Sequence, residues 1–333
     1  FGRGKMKRGI IGSGNIVVDC LDAVKNIEGI ELAGICVREK SIDKGKELAE
    51  KYSISKIYTE YEKILNDKNI DTVYIGIVNN MHFEYTKKAL EYGKNVVCEK
   101  PFTSTAEELK ILIEVAKSKK LFLFEAITML YSPNFKYIKE NLYLVGDVKL
   151  IQCNYSQYSS RYNKYLEGVV LPAFDKNMSG GALYDINIYN VHFVVGLFGR
   201  PKSIKYTANL GFNGIDTSGI LVLSYDGFSA VCCGAKDSES PSHATVQGVK
   251  GYMKLTSPAG VAKSVECKVG RDIETYNGDS NKNRMINEFV AFEKMLKEKS
   301  FEECYENLNH SLIVMEVLTN ARKDAGIDFP ADF

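Results

Sequence analysis

Lys94–Pro101, which reads KNVVCEKP, predicts a short buried strand that ends in a charged pair and a proline. Val96–Cys98 is a continuous apolar run, which is typical of a strand covered on both faces in a parallel sheet. Pro101 ends the strand, because proline has no N–H for the sheet ladder and restricts the residue before it. Lys100 is therefore expected at the carboxyl end of a strand, where open α/β sheets bind ligands. The alternative is that Glu99 and Lys100 form a solvated ion pair.

A glycine-rich turn follows the first predicted strand, Lys7–Ile11, and opens a helix. In a dinucleotide-binding unit, Gly12 permits the tight turn and Gly14 lets the backbone approach a pyrophosphate, which the helix N-terminus also attracts. Val17 stands where a third glycine is common, so an ordinary turn between strand and helix is the alternative. The position of the turn at the start of a strand–helix–strand unit favours dinucleotide binding.

The end of the second predicted strand bears on the choice of cofactor. Ile30–Val37 ends at Val37, without the carboxylate that binds the adenine ribose of NAD. Arg38 follows, with Lys40 close behind, and an arginine can hold a phosphate with two parallel hydrogen bonds. These donors favour NADP. NAD is the alternative, since Arg38 can instead stack on the adenine or pair with Glu39, and Glu39 can turn inward to the ribose.

Strands and helices continue to alternate up to about residue 124. Further strands are predicted at Lys56–Tyr58, Thr72–Val78 and Leu121–Phe124. This alternation predicts a doubly wound parallel sheet in a first domain of residues 1–124. Four residues at the end of the fourth strand are candidate cofactor contacts: Val78, Asn79, Asn80 and His82.

From residue 125 the pattern changes to long β-branched or aromatic segments joined by turns. Asn213–Gly214 and Asp226–Gly227 are strong hairpin signals. We therefore predict a second, α+β domain of residues 125–333 with a large, mainly antiparallel sheet. Two predicted helices, Met285–Lys297 and Leu308–Ala325, close the chain and can pack back on the first domain.

One predicted helix in the second domain carries a polar stripe. Gly180–Gly181 leads into a segment with Asp185, Tyr189 and His192 at i, i+4 and i+7, which a regular α-helix places on one face. The structural interpretation is that Asp185 favours the helix dipole, while the phenol and the imidazole are satisfied core groups. The functional interpretation is that all three side chains face a cleft, where each can position a hydroxyl or move a proton.

Composition excludes several classes of function. The 333 residues carry 43 Lys and Arg against 42 Asp and Glu, without a basic stripe that would bind nucleic acid. No apolar run approaches the roughly 20 residues that cross a bilayer, and Asp19 and Asp22 interrupt any signal-peptide core. The eight cysteines are scattered and the four histidines stand far apart, so we expect reduced thiols in a cytoplasmic protein and no metal site.

Taken together, these motifs resemble the glucose-fructose oxidoreductase and inositol dehydrogenase family, often called Gfo/Idh/MocA. Gly12–Ile16, Gly93–Pro101 and Gly180–Asp185 with Tyr189 look like its nucleotide, E-K-P and G-G-x-x-x-D motifs. The resemblance covers nearly the whole chain. It implies a Rossmann domain followed by a domain with an open-faced sheet, and NAD(P)-dependent oxidation or reduction at a carbinol or carbonyl carbon.

The resemblance also implies roles for individual residues. Lys100, Tyr189 and Asp185 match catalytic positions, with Tyr189 as proton donor or acceptor and Lys100 polarising the substrate oxygen. Tyr131 and His192 are expected to bind substrate. The expected cofactor contacts are Gly12, Ser13, Gly14, Asn15, Ile16, Val37, Arg38, Val78, Asn79, Asn80, His82, Glu99 and Lys100.

Three residues depart from the family pattern: Asn187 stands where glycine is usual, Leu130 where arginine is common and Asn79 where proline is frequent. The first two are expected on the substrate side, which puts a specific sugar in doubt and leaves the oxidoreductase class intact. We expect a small hydroxy or keto substrate such as a sugar or polyol. The alternative is a nucleotide-binding sensor or regulatory protein that has lost turnover.

The open face of the second sheet bears on oligomeric state. This face is expected to include Tyr225 and Cys233 and to be covered by another copy of the chain. Soluble proteins rarely expose a large apolar sheet face. We therefore predict a homodimer or homotetramer.

Overall fold

The computed structural model describes residues 6–333, and the chain divides into two compact units. The first unit comprises the described residues up to Thr103, together with Glu107–Ala126 and Asn281–Asn309. The second comprises Ser104–Ala106, Ile127–Ser280 and His310–Phe333. Residues 1–5 of the predicted first domain lie outside the described residues. The first unit is thus assembled from segments that lie far apart in the sequence.

Strands and helices alternate up to residue 126. The strands are β1 (Met6–Ile11), β2 (Ile30–Cys36), β3 (Ile57–Tyr58), β4 (Thr72–Ile75), β5 (Asn95–Glu99) and β6 (Leu123–Ala126). The helices are α1 (Asn15–Val24), α2 (Ile42–Tyr52), α3 (Tyr61–Asn66), α4 (His82–Glu91) and α5 (Ala106–Lys119). The six strands pair in parallel in the order β3-β2-β1-β4-β5-β6. The predicted doubly wound sheet is confirmed.

The strand β5 shows why this sheet is covered on both faces. Val96, Val97 and Cys98 are each at most 3% exposed, and β5 lies between β4 and β6. A strand inside a parallel sheet buries both of its faces, which explains a continuous apolar run instead of an alternating one. The carboxyl ends of β1, β4 and β5 consequently meet at one edge of the sheet.

An eight-stranded sheet forms the centre of the second unit. Its strands are β7 (Val148–Ser156), β8 (Ser203–Leu210), β9 (Asp216–Tyr225), β10 (Phe228–Ala235), β11 (His243–Gly248), β12 (Gly251–Leu255), β13 (Val265–Val269) and β14 (Asp272–Tyr276). The accompanying helices are α6 (Pro133–Asn141), α7 (Tyr162–Leu166) and α8 (Ile188–Phe198). The order is β14-β13-β12-β11-β7-β10-β9-β8, and within residues 6–333 every neighbouring pair except β7–β10 is antiparallel. The predicted mainly antiparallel sheet is confirmed.

Both predicted hairpins are present, whereas one strand, β14, was not predicted from the sequence. β9 pairs antiparallel with β8 and with β10. Gly214 has a φ of 78° and Gly227 a φ of 81°, a region that glycine adopts without steric strain. The sequence does not predict β14, because its side chains are largely exposed and Ile273 is 59% exposed. No buried apolar face marks that strand.

The two faces of the eight-stranded sheet differ. Ile151, Leu221 and Cys232 are fully buried on the face against which α8 packs. Leu150 and Ile220 alternate onto the other face, where they are 38% and 50% exposed. The second sheet therefore has the open face that the resemblance implies.

Tyr225 does not lie on the open face, so this part of the prediction is wrong. Its hydroxyl donates a hydrogen bond to the carbonyl oxygen of Gly199 over 2.8 Å, and its ring lies 6.1 Å from that of Phe198 in α8. Strand alternation places Tyr225 on the same side as the buried Leu223. Cys233 alternates onto the open face.

Two helices follow the second sheet: α9 (Met285–Glu298) and α10 (Phe301–Asp324). Phe292 stacks on Phe124 with ring centroids 4.6 Å apart, so α9 contributes to the core of the first unit. Phe301 stacks on Phe122 at 4.1 Å. This contact explains why α10 begins at Phe301 instead of at the predicted Leu308, since a distant partner sets its first residue.

Candidate active site

The glycine turn after β1 has the geometry that a pyrophosphate needs. Gly12 has a φ of 114°, and a Cβ at this position would collide with the carbonyl oxygen of Gly76. A Cβ at Gly14 would meet no atom within 4 Å, so there is open space at the N-terminus of α1. Asn15–Val18, the first turn of α1, contains no acidic residue. The turn therefore fits a dinucleotide, whose phosphates would accept hydrogen bonds from the helix N–H groups. The predicted contacts of this turn are all exposed or half-buried: Gly12, Ser13, Gly14, Asn15 and Ile16.

The end of β2 presents a cation and no carboxylate at the strand tip itself. Val37 is buried and packs closely against the backbone of Gly45 in α2. Arg38 and Glu39 are both exposed at the start of the turn that leads into α2. The guanidinium group of Arg38 is therefore accessible beside the predicted adenosine site.

His82 lies beneath the loop after β4 and ties two backbone segments together. The side chain is fully buried, with Nδ1 2.7 Å from the carbonyl oxygen of Pro101 and Nε2 3.2 Å from that of Ile77. Burial lowers the pKa of His82. Both ring nitrogens thus face backbone carbonyls of the first unit, and the contact with Pro101 places His82 against the Lys100–Pro101 turn. Three neighbouring predicted contacts are exposed or half-buried: Val78, Asn79 and Asn80.

The end of β5 combines a buried acid with an accessible lysine. Glu99 is 6% exposed, and its Oε1 accepts a hydrogen bond from the hydroxyl of Tyr74 over 2.8 Å. Burial raises the pKa of Glu99 to about 7, against the opposing effects of that hydrogen bond and of the charge on Lys100. Lys100 is half-buried and joined to Pro101 by a cis peptide bond. Because Glu99 is buried, the solvated ion-pair alternative does not hold.

A second buried acid, Glu288 in α9, lies near Glu99 and was not identified from the sequence. It is fully buried, and its carboxyl oxygens have no hydrogen-bond partner among residues 6–333. Burial and then the neighbouring Glu99 raise the pKa of Glu288 well above its usual value, while Arg284 opposes the rise. The signal that could have found it is an acid on the apolar face of a helix, four residues before Phe292.

The second half of the predicted site begins with a π-helical turn, Leu183–Asn187, which leads into α8. Gly181 has a φ of 99°, and a Cβ there would overlap the carboxylate of Asp216. That buried carboxylate accepts hydrogen bonds from the N–H of Leu183 and from the hydroxyl of Tyr206, each over 2.7 Å. The second glycine of the G-G motif is therefore required for the close approach of Asp216 to the start of the turn.

Asp185 in this turn forms an ion pair with a lysine that the sequence did not single out. Its Oδ2 lies 2.6 Å from Nζ of Lys236, whose side chain is only 3% exposed. The same ammonium group donates a hydrogen bond to the carbonyl oxygen of Ala173 over 2.8 Å and lies 4.4 Å from the ring centroid of Phe174. Asp185 itself remains 32% exposed.

Tyr189 lies one turn further on, at the start of α8. It is 7% exposed, and its ring lies 5.8 Å from that of Tyr155 and packs against Gly260. Tyr131 and His192 are the two predicted substrate contacts, and only Tyr131 lies outside α8. It is half-buried at the end of a short 3-10 turn after β6.

Asn187 and His192 are structural residues, which corrects two expectations. Asn187 is fully buried and donates a hydrogen bond to the carbonyl oxygen of Cys232 over 3.0 Å, so it faces the sheet instead of the substrate side. His192 is fully buried, with Nδ1 2.9 Å from Nε2 of His310 in α10. Burial, then His192, lower the pKa of His310 to about 3. The predicted cleft-facing stripe of Asp185, Tyr189 and His192 therefore does not include the histidine.

Three further observations concern the described chain as a whole. Within residues 6–333, no three His, Cys, Asp or Glu side chains are grouped so as to hold a metal ion. No helix in this range has both the length and the apolar character that crossing a membrane requires. All eight cysteines are free thiols, and seven of them are buried.

Comparison with known proteins identifies the family. Residues 6–126 match the Gfo/Idh/MocA oxidoreductase family with its NAD-binding Rossmann fold, and residues 144–254 match the Gfo/Idh/MocA C-terminal domain. The chain is 33% identical to scyllo-inositol 2-dehydrogenase (NADP(+)) IolU of Bacillus subtilis (strain 168), over 97% of this chain and 98% of that protein. It is 31% identical to trans-1,2-dihydrobenzene-1,2-diol dehydrogenase of Xenopus tropicalis, over 75% of each chain.

Solved structures share the fold over nearly the full length. KijD10, a 3-ketoreductase from Actinomadura kijaniata solved with NADP and TDP-benzene, superposes with a TM-score of 0.83 at 19% identity, over 96% of this chain and 98% of that one. Levoglucosan dehydrogenase in complex with NADH and levoglucosan has a TM-score of 0.81 at 16% identity, over 97% of both chains. On the family match and the relatives together, this chain belongs to the Gfo/Idh/MocA family of NAD(P)-dependent oxidoreductases.

Proposed function

We propose that the protein oxidises a hydroxyl group of a sugar, polyol or related ring compound, or reduces the matching carbonyl group. The observation that carries the proposal is the end of β5, where Lys100 follows the buried Glu99 in a sheet whose glycine turn fits a dinucleotide. The relatives support the substrate class. Scyllo-inositol and the dihydrobenzene diol for which two of them are named both carry neighbouring hydroxyl groups on a ring.

The residues of the chain move the proton and hold the substrate. A bound nicotinamide cofactor supplies the acceptor or donor of the hydride. The ammonium group of Lys100 polarises the reacting oxygen. The phenolate form of Tyr189 takes the hydroxyl proton in oxidation and becomes a phenol, and the phenol returns that proton to the carbonyl oxygen in reduction. Asp185 accepts a hydrogen bond from a neighbouring hydroxyl of the substrate. The proposal requires Lys100 and Tyr189 to reach the same oxygen atom.

Replacing either catalytic group tests the proposal. Lys100→Met and Tyr189→Phe should each lower turnover by roughly 10² to 10⁴, the range expected for a lost acid or base, while nucleotide binding is retained. The matched controls are Lys46→Met, whose side chain is 64% exposed, and Tyr143→Phe, at a residue 72% exposed. Near-normal turnover in either catalytic variant would refute the assignment of that residue.

A screen of substrates separates the enzyme from its alternative. Inositols, aldoses, dihydrodiols and the corresponding ketones are incubated with each cofactor, and the nicotinamide absorbance is followed. Turnover of at least one ring polyol supports the proposal. Cofactor binding without turnover of any compound would favour the nucleotide-binding sensor.

We also propose that NADP is the preferred cofactor. The exposed Arg38 and the buried Val37 at the end of β2 offer a cation for a 2′-phosphate where NAD favours a carboxylate. The Bacillus relative is named for NADP(+). A charge-assisted contact contributes roughly 1.5 to 3 kcal/mol, so Arg38→Ala should weaken NADPH binding about ten- to a hundredfold and leave NADH binding unchanged. Tighter NADH binding by the wild type, or full NADPH affinity in the variant, would contradict the proposal.

We further propose that the open face of the eight-stranded sheet forms the contact between copies of the chain. The exposed Leu150 and Ile220 lie on this face with the half-buried Val222 and Val231, which pair across β9 and β10. An apolar face of this kind is usually covered. Sedimentation should show a dimer or tetramer for the wild type and dissociation for Ile220→Lys. A wild-type monomer at micromolar concentration would refute the contact.

We propose a reducing compartment, the cytoplasm, as the site of function. The support is that the eight cysteines are free thiols and that seven of them are buried in the two units. Alkylation of the denatured protein without reductant, followed by mass measurement, should modify all eight. A protein purified without reductant that retains an oxidised pair would contradict this proposal.

A further inference from the structure

Lys236 is a buried lysine that the proposed reaction does not use. It follows the last residue of β10, and its backbone N–H donates a hydrogen bond to the carbonyl oxygen of Thr217 over 2.8 Å. Its side chain is only 3% exposed. Lysine is seldom buried to this extent unless it is paired, because moving an ammonium group out of water is unfavourable. We therefore asked which groups the buried ammonium group of Lys236 stabilises.

The contacts of the ammonium group show that it acts within the protein. An ammonium group has three N–H donors. One lies 2.6 Å from Oδ2 of Asp185 and another 2.8 Å from the carbonyl oxygen of Ala173, while the ring of Phe174 lies 4.4 Å away. A cation in this place is also attracted to the ring face. Lys236 is thus enclosed by its own unit and does not present a donor to a substrate.

The same charge acts on one carboxylate within the π-helical turn and on another at its start. Asp216 accepts a hydrogen bond from the N–H of Leu183, the first residue of the turn, and Asp185 is its third residue. Burial raises the pKa of Asp216, and the charge of Lys236 opposes that rise. π-Helical turns are frequent at functional sites, where they redirect a side chain. Lys236 therefore stabilises the turn from which Asp185 projects and which Tyr189 follows two residues later.

We propose that Lys236 is a positioning residue, which holds the partly exposed Asp185 carboxylate where it accepts a hydrogen bond from a second hydroxyl of the substrate. The inference rests on the proposed function and deepens it, since it selects substrates that carry a hydroxyl next to the reacting carbon. A positioned carboxylate binds such a hydroxyl with a charge-assisted hydrogen bond. A substrate with a single hydroxyl gains nothing from the pair.

Kinetics of three variants test this inference. Lys236→Met and Asp185→Asn should each raise the KM for scyllo-inositol roughly 10- to 100-fold, the loss expected for one charge-assisted hydrogen bond. The binding of NADPH should be unchanged. In Lys236→Met/Asp185→Asn the KM should be no higher than in Asp185→Asn alone, because both changes remove the same interaction. Lys202→Met, at an exposed lysine of the same unit, is the matched control and should behave as wild type.

The outcomes distinguish this inference from the proposed function. The inference would be overturned if the KM of the double variant rose by the product of the two single fold-increases. It would also be overturned if Lys236→Met folded and kept the wild-type KM. In both cases the enzyme remains active, so the proposed function stands. If Lys236→Met does not fold because it leaves the partly buried Asp185 carboxylate unpaired, the double variant removes both charges and is compared with Asp185→Asn alone. Wild-type protein that turns over no ring polyol would overturn both the function and the inference.

Discussion

Replacing Glu99 by Gln should remove a pH dependence from the stability of the protein. Glu99 is buried at the end of β5 and accepts a hydrogen bond from Tyr74 over 2.8 Å. Its pKa rises from 4.5 to about 7 in the folded protein, chiefly because burial disfavours the carboxylate. Gln keeps the shape of the side chain and an oxygen that can accept the hydrogen bond from Tyr74, but it does not titrate.

The sign of the effect follows from the protons that each state binds. Between pH 4.5 and about 7, folded protein holds a proton on Glu99 that the unfolded chain has released. The contribution of Glu99 to stability is therefore fully present below this window and is lost as pH rises through it. The rise in pKa corresponds to about 3 kcal/mol. Relative to wild type, Glu99→Gln should thus gain up to about 3 kcal/mol in free energy of unfolding between about pH 4 and pH 8.

Urea unfolding measures this difference. Circular dichroism at a series of pH values gives the free energy of unfolding of wild type and Glu99→Gln. The control is Glu298→Gln, at an exposed position of α9, whose curve should run parallel to that of wild type. The buried acid Asp216 is present in every protein compared, so its contribution cancels in the difference. Glu288 is also present, but burial and then Glu99 raise its pKa, so replacing Glu99 should lower the pKa of Glu288 and this change forms part of the measured difference. A difference between Glu99→Gln and wild type that does not vary with pH would refute the reasoning.

Two further substitutions test single packing features by urea unfolding. Gly181→Ala should lower the free energy of unfolding by roughly 2 to 4 kcal/mol, because φ is 99° and the new Cβ would displace Asp216. Gly326→Ala, which also has a positive φ but open space around the Cβ, should lose only about 1 kcal/mol, and equal losses would contradict the role of Asp216. Glu288→Met should raise the free energy of unfolding by roughly 1 to 3 kcal/mol, because it replaces a buried carboxyl group without a hydrogen-bond partner among the described residues. Glu298→Met in the same helix should change it little, and destabilisation by Glu288→Met would show that this carboxyl group makes a favourable interaction.

Features encoded by residues close together in the sequence were predictable. Lys94–Pro101 combines an apolar run, a charged pair and a proline within one short segment, and this local pattern specifies a buried strand and the edge where it ends. The turn at Gly12 and the hairpin at Gly214 also depend on the conformational freedom of one residue. No distant partner is needed to recognise any of these.

Features that depend on distant partners were not predictable. Lys236 meets Asp185 from 51 positions away, and His192 meets His310 from 118 positions away. Each of these residues reads as an ordinary polar side chain until the fold brings its partner to it. The π-helical turn at Leu183–Asn187 also escapes a helical pattern with a period of 3.6 residues, so the single polar face predicted for this segment does not form.

The discontinuity of the first unit has a consequence for synthesis on the ribosome. Phe289 and Phe292 of α9 pack against Tyr74 and Phe124, yet the whole eight-stranded sheet is encoded between these partners. A nascent chain that has just completed β6 therefore carries a parallel sheet with part of its aromatic core uncovered. Domains usually fold as units during synthesis, beginning with the N-terminal one. Here we expect the nucleotide-binding unit to close late, after nearly the entire chain has emerged, and a fragment that stops at residue 126 to expose apolar surface and aggregate.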